Sequence, residues 1–463
     1  MKPTRRSIFK ACSCGAVFPL FAATAFQHGP ARAQQLRATA VSGAAGALPG
    51  PSDALIGEIE GVYKDIHANP ELSMQERRTA GIAANWLRKQ GYEVTEGVGQ
   101  TGVVGVLRNG DGATVLLRAD MDALPMKENT GLPYASTKTG VDPATGMESA
   151  IAHSCGHDMH VAWLMAASRI LAENRDKWRG TVLALFQPAE ETGQGAKAMV
   201  DDGLVRRFPK PDVVLGQHVM PLPSGQVAIH GGTIMARSDS LEVTLFGRGG
   251  HGSSPETTID PVVMAASAVT QLQSVVSREI GMMERAVVSV GALQSGSSAN
   301  IIPEQAVLRL NIRTFDEQVR ERVLSSVRRI ITKQAELSRS PRPPEFKELG
   351  TFPLTVNDED ATRKVTEALQ RRLGGDRVQP ASPLGGSEDF TVLARAWEVP
   401  SVYWIIGGTD PETYAKAERE GRLNELPNNH SPQFAPVLQP TLRTGIDTMI
   451  AAAGAWLVPA GSR

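Results

Sequence analysis

Apolar positions near the start of the chain fall at helical spacing, with Leu55, Ile59, Val62 and Ile66 on one face. A second helical run goes from about Glu76 to Gln90 and stops at Gly91. Short β-rich runs follow at Gly102 to Arg108, Thr114 to Ala119 and Thr181 to Phe186, with an apolar helical stretch, Val161 to Glu173, between the last two. Strands alternating with helices predict an α/β fold on a mostly parallel central sheet. Sites in such folds form in the loops at the carboxyl ends of the strands.

The texture changes near residue 236. Strand Leu241 to Phe246, helix Pro261 to Arg278, strands Ala286 to Leu293 and Ala306 to Thr314, helix Asp316 to Ser338 and a Pro-rich extended run follow one another. This β-α-β-β-α-β order is that of a ferredoxin-like unit. After Asp358 the helix–strand alternation resumes, with Val402 to Ile406 as a buried strand. The expected architecture is one α/β domain, residues 34–236 and 353–463, interrupted by a small inserted domain, residues 237–352.

A chain of 463 residues is long enough for two cores. With 41% apolar residues, 21% charged residues and a formal net charge of −1, it carries no electrostatic footprint for nucleic acid or an anionic membrane. The expected partner is a small molecule. Residues 1–33 read as a twin-arginine signal peptide: Thr4-Arg5-Arg6-Ser7-Ile8-Phe9-Lys10, an apolar run from Ala16 to Phe26, and the small-residue site Ala31-Arg32-Ala33. The apolar run falls short of the ~20 residues that span a bilayer, so stable membrane insertion after processing is not expected. The expected location is the periplasm. Of three cysteines, Cys12 and Cys14 leave with the signal, and the remaining Cys155 has no internal partner for a disulfide. A lone thiol in an oxidising compartment needs burial or a metal.

Candidate chemistry is densest at Ser154-Cys155-Gly156-His157-Asp158-Met159-His160. In an extended segment Cys155 and His157 face one side, and thiolate with imidazole suits zinc, with manganese, cobalt or nickel as alternatives. Taken alone, C-x-H fits a small packed cysteine equally well. Phe186-Gln187-Pro188-Ala189-Glu190-Glu191 follows a strand. Two adjacent carboxylates there either lie solvated or divide the work, one ligating a cation and the other acting as a base. His218, in Leu215-Gly216-Gln217-His218-Val219, and His430, in Asn428-Asn429-His430-Ser431-Pro432, are each as consistent with a structural role as with ligation. Four such elements expected at strand ends point together to a metal centre.

The segments Leu117 to Pro125, Ser154 to His160, Gln187 to Glu191, Gly249-Gly250-His251-Gly252-Ser253, Asn300-Ile301-Ile302-Pro303, Gly386-Ser387-Glu388-Asp389-Phe390 and His430 resemble, in order, the aminoacylase and hippurate-hydrolase branch of the M20 metallopeptidases. The resemblance covers about residues 53 to 452. It implies a metal-dependent amidohydrolase cleaving the amide bond of N-acyl amino acids or related hippurate-like conjugates, with an M20-type carboxypeptidase or dipeptidase as the alternative. It implies two divalent metal ions (Zn, Mn, Co or Ni) held by Cys155, His157, Glu191, His218 and His430. Cys155 bridges the ions where relatives have Asp; Glu191 and His430 hold one, His157 and His218 the other. It makes Glu190 the general base. His251 steadies the oxyanion, and His251, Asn300 and Arg313 bind substrate. Arg313 has the fork geometry for a substrate carboxylate, and a surface ion pair is the other reading of it. Asp120 and Asp122 support the ligands from behind; wider relatives carry a His ligand where Asp120 stands. His153 and His160 are expected to orient the site. The inserted domain is implied to be a lid that also makes a homodimer. Lys138 to Ala152 is longer than in compact members and is expected to shape the entrance.

Two other patterns are excluded. Gly247-Arg248-Gly249-Gly250-His251-Gly252 matches G-x-G-x-x-G, but Ser253-Ser254-Pro255 follows instead of a helix and Asp260 comes too soon for a nucleotide ribose. No G-x-S-x-G elbow occurs, which removes the usual serine-hydrolase reading.

Overall fold

The computed structural model describes residues 48–459 apart from residue 144, so the twin-arginine segment lies outside the described residues. The first helix, Asp53–His67, starts where the Ser52 hydroxyl accepts the Leu55 amide at 3.2 Å, and it buries Leu55, Ile59, Tyr63 and Ile66. The second spans Arg77–Lys89.

The large sheet runs in the order Glu93–Val98, Gly102–Asn109, Trp178–Gln187, Thr114–Asp120, Val213–Pro223, Ser401–Thr409, Val227–Ile229, Val378–Pro380. Its four middle strands, from Trp178–Gln187 to Ser401–Thr409, are parallel to one another; antiparallel strands extend it on both sides. Buried on both faces, the middle strands read as apolar runs rather than alternating ones. One face packs on Asp53–His67, Arg77–Lys89, His157–Glu173, Glu359–Leu373 and Leu438–Gly454, the other on Gly195–Asp201 and Thr391–Trp397.

Helix His157–Glu173 is buried on almost every side, because the sheet lies beneath it while Asp53–His67, Arg77–Lys89 and Leu438–Gly454 cover it. Its sequence is correspondingly apolar all round. Gly445 lets the last helix come down on Trp163; a Cβ there would stand 2.0 Å from the indole. The helix that delivers His157 is therefore clamped.

A second sheet has the order Ala286–Gln294, Gln305–Thr314, Arg237–Phe246, Glu345–Phe352, with every neighbour antiparallel. Helices Pro261–Ser274 and Glu317–Leu337 pack on it, and Leu241, Val243, Leu308, Leu310, Met264, Leu272, Val323 and Val327 form its own core. Burial along Gln305–Thr314 alternates residue by residue, as a strand with one covered face requires. In chain order this is strand-helix-strand-strand-helix-strand. The Pro261 helix ends at Ser274, short of Arg278, and passes into a π-helical turn, Val275–Glu279. No described helix is long and apolar enough to cross a membrane.

Candidate metal centre

Of the four segments expected at strand ends, only that of Glu190 and Glu191 sits there. Thr114–Asp120 ends on Asp120, with Asp122 just beyond, and Trp178–Gln187 leads into Glu190 and Glu191. The other three differ. His218 lies within Val213–Pro223, which continues five residues past it, and His430 sits in a loop with a left-handed backbone, φ 67°. Cys155 and His157 are not in an extended segment either: Cys155 is in a turn and His157 is the first residue of its helix. Gly156 between them has φ 87°, and a Cβ there would meet Val219 Cγ1 at 2.4 Å, so only glycine makes this turn. The two side chains converge through that turn, not through strand periodicity.

The five expected ligands come together as two groups that share Cys155. Cys155, His157 and His218 have donor atoms within 4.8 Å of one another, as do Cys155, Glu191 and His430. Cys155 Sγ is 3.5 Å from His218 Nε2, and His430 Nε2 is 3.2 Å from Glu191 Oε2. His157 Nδ1 donates to the Asp122 carbonyl at 2.8 Å and His218 Nδ1 to the Val219 carbonyl at 2.8 Å. Both tautomers are thereby fixed, and each Nε2 turns its lone pair inward, as ligating histidines require.

The residues fit a divalent metal by another measure. His157 Nε2 and Glu191 Oε1 are buried with no hydrogen-bond partner. Each orphan would cost about 1–3 kcal/mol, a cost that a cation between them removes. Burial and the adjacent Glu191 push the Cys155 thiol up, while His157 and His430 pull it back. A cation is what would make it a thiolate.

Glu190 is buried beside the cluster, its Oε2 3.9 Å from His157 Nε2. Burial, Glu388 and Glu191 push its carboxyl well above the usual range, toward the proton-accepting strength of a base. Asp122 takes the Glu190 and Glu191 amides at 3.1 and 3.0 Å and the Ser73 hydroxyl at 2.6 Å. Asp120 accepts from His160 Nδ1 at 2.5 Å, and His160 Nε2 accepts the Val219 amide at 3.0 Å. His160 thus ties the strand carrying His218 to Asp120. His153 is buried with neither ring nitrogen partnered.

Several side chains around the centre escaped the sequence reading. Arg118, fully buried, donates to Asp120 at 2.6 Å, Glu388 at 2.8 Å and Gln187 at 2.9 Å, and Tyr403 donates to Glu388 at 2.6 Å. Arg118 lies in the family-like segment Leu117 to Pro125 and Glu388 in Gly386 to Phe390, which is the only signal of either in the sequence.

His251, Asn300 and Arg313 belong to neither donor group. His251 is exposed on Gly250–His251, paired with Ile301–Ile302, and its Nδ1 accepts the Ser253 amide at 3.1 Å. Asn300 is exposed, its carbonyl accepting the Gly252 amide at 2.8 Å. Arg313 is half-buried and makes no ion pair among the described residues; it donates to Asn311 Oδ1 at 2.7 Å and Ser387 Oγ at 2.6 Å. The segment after Lys138 forms a small hairpin, Thr139–Val141 with Glu148–Ala150, whose second strand leads through Ala152 to Cys155.

Buried thiol, imidazole and carboxylate donors gathered at one side of an α/β sheet, with a spare carboxyl beside them, define a divalent-metal hydrolase. The chain belongs to peptidase family M20/M25/M40, whose model matches residues 116–427. It is 39% identical over 73% of its length to a hippurate hydrolase of Campylobacter jejuni, of which it covers 85%. It is 36% identical over 81% of its length to a thermostable carboxypeptidase 2 of Saccharolobus solfataricus, of which it covers 89%. The structure of a Bacillus subtilis protein described as a dinuclear metal binding peptidase of the M20 family matches 87% of the chain and 99% of its own, with a TM-score of 0.68 and 28% identity. This chain is a metal-dependent hydrolase acting on amide bonds.

Proposed function

We propose that the chain hydrolyses N-acyl amino acids or similar small conjugates, releasing a carboxylic acid and a free amino acid. The observation that carries this reading is the pair of donor groups sharing Cys155, with Glu190 beside them and outside both. Cys155, His157 and His218 would hold one divalent ion and Cys155, Glu191 and His430 a second, drawn from zinc, manganese, cobalt or nickel. When bound, such ions lower the pKa of a water and stabilise negative charge on a carbonyl oxygen. Glu190 takes the proton from the attacking water and passes it to the leaving nitrogen, so that the C–N bond breaks to give acid and amine. Asp122 fixes the backbone of Glu190 and Glu191, and Asp120 with His160 steadies the imidazoles behind them.

The substrate's carboxylate pairs with Arg313, whose guanidinium has no acidic partner among the described residues. Asn300 and His251 complete substrate binding, His251 at the oxyanion. The relative named hippurate hydrolase supports an acyl-amino acid, and the carboxypeptidase relative supports a peptide as the alternative. Parallel assays decide between them: kcat/KM for benzoyl- and acetyl-amino acids should exceed that for dipeptides and acylated dipeptides by about tenfold or more, a gap of roughly 1.4 kcal/mol. Equal or faster peptide turnover would sink the acyl-amino acid reading.

The second sheet is proposed as a lid that also pairs two chains, bringing each His251 to the partner's centre. Its strand Ala286–Gln294 lies at a sheet edge with Val287 and Leu293 exposed, and Val262 and Val263 are exposed nearby in sequence on the first helix of that unit. The twin-arginine start supports folded export to the periplasm. One measurement bears on both: native mass spectrometry of periplasmic extract should give a dimer of chains beginning at Gln34. A monomer argues against the lid interface, and an uncleaved or cytoplasmic chain against export.

A further inference from the structure

Glu76 entered neither the sequence motifs nor the proposed chemistry, yet it lies under the catalytic turn. It is fully buried at the start of helix Arg77–Lys89, with no ion pair among the described residues. Burial, and Asp122 next to it, lift its carboxyl to about 7. A buried carboxylate without a basic partner is costly to hold. Its bonds show what it holds in place. Oε1 accepts the Met74 amide at 2.9 Å and the Ala189 amide at 2.8 Å, and Oε2 accepts the Thr101 hydroxyl at 2.5 Å.

Ala189 has φ 47°, a left-handed backbone that an alanine adopts only when its surroundings hold it there. Asp122 takes the next two amides, those of Glu190 and Glu191. Three consecutive N–H groups are therefore gripped by two buried carboxylates. Successive amides in such a turn form a cup for an anion, and here the cup is filled from within the chain. Asp122 alone cannot set the turn, because the strained residue is Ala189 and its amide goes to Glu76.

We propose that Glu76 is a positioning residue: by holding the Ala189 amide it fixes the left-handed turn that aims Glu190 and Glu191 into the metal centre. This rests on Glu190 as the base and Glu191 as a ligand. Glutamine can reproduce the contacts, its carbonyl accepting from Met74 and Ala189 and its amide donating to the Thr101 hydroxyl; alanine cannot.

The test uses the full metal-loaded protein, an N-acyl amino acid, and metal content per chain measured beside kcat, KM and thermal unfolding. Glu76→Ala should lower kcat per bound metal by about 10²-fold with KM changed little, as expected when a reacting group is displaced by about 1 Å. Glu76→Gln should return kcat to near wild type. Wild-type kcat in Glu76→Ala, or a Glu76→Gln as impaired as the alanine variant, overturns the proposal. Should Glu76→Ala fail to fold, Thr101→Val removes the hydroxyl that orients the carboxylate, and unchanged kcat there overturns it as well. Glu190→Gln is assayed alongside. An active Glu190→Gln rejects the base, whereas an inactive one with wild-type Glu76→Ala rejects only the role of Glu76.

Discussion

Glu190→Gln lowers kcat for an acyl-amino acid by about 10³-fold, or about 4 kcal/mol of barrier, with metal content unchanged. The size follows from the geometry. Glu190 stands outside both groups of donors that share Cys155, so in the proposed arrangement the substitution removes no ligand. It is also buried, with a carboxyl pushed well up by desolvation, Glu388 and Glu191, which gives it the affinity for a proton that a base needs. Glutamine keeps the shape and the backbone bonds to Asp122 but cannot accept a proton. Turnover and metal analysis on the same preparation check this. A variant that turns over at the wild-type rate ends the assignment, and one that is inactive but metal-loaded separates catalysis from mere metal storage.

Stripping the metal with a chelator abolishes measurable turnover, and Mn²⁺, Zn²⁺ or Co²⁺ restores it. The buried His157 Nε2 and Glu191 Oε1 have nothing else to bond, so the empty centre is left with uncompensated polar atoms and mutual repulsion among its acids. The same ions should stabilise the fold, by about 4 kcal/mol where free metal exceeds its Kd by 1,000-fold. Activity, metal content and melting temperature are followed through removal and reconstitution. Full activity in rigorously metal-free protein defeats the mechanism outright. An unchanged melting temperature would mean that the donor groups do not bind the ion they were expected to bind.

Much of this was legible in the chain. Helix and strand positions follow from apolar spacing, and the strand-helix-strand-strand-helix-strand order of residues 237–352 was visible because its helices are long and its strands alternate. Cys155, His157 and Glu191 sit in short runs rich in donor-type residues, whereas His218 and His430 stood out only through the family resemblance. The path to convergence was misread at Cys155 and His157, where a glycine turn and a helix start replace the extended segment; a single Gly156 gives no warning of φ 87°. What was not legible is what supports the donors. Arg118 meets Glu388 across 270 residues and Glu76 meets Ala189 across 113, and contacts so distant in sequence leave no local pattern. Arg118 and Asp120 do share a strand face two residues apart, but only the folded chain shows which acid waits on the far side.

The first helix, Asp53–His67, packs on both His157–Glu173 and the last helix, Leu438–Gly454. Part of what holds residues 53–67 in place is therefore synthesised long after them, and His430 comes almost as late. Until residues 430–454 have been made, the main core stays open on that side and the donor group of Cys155, Glu191 and His430 is incomplete. Loss of Leu438–Gly454 should therefore loosen the first helix too, which a drop in its amide-exchange protection would report.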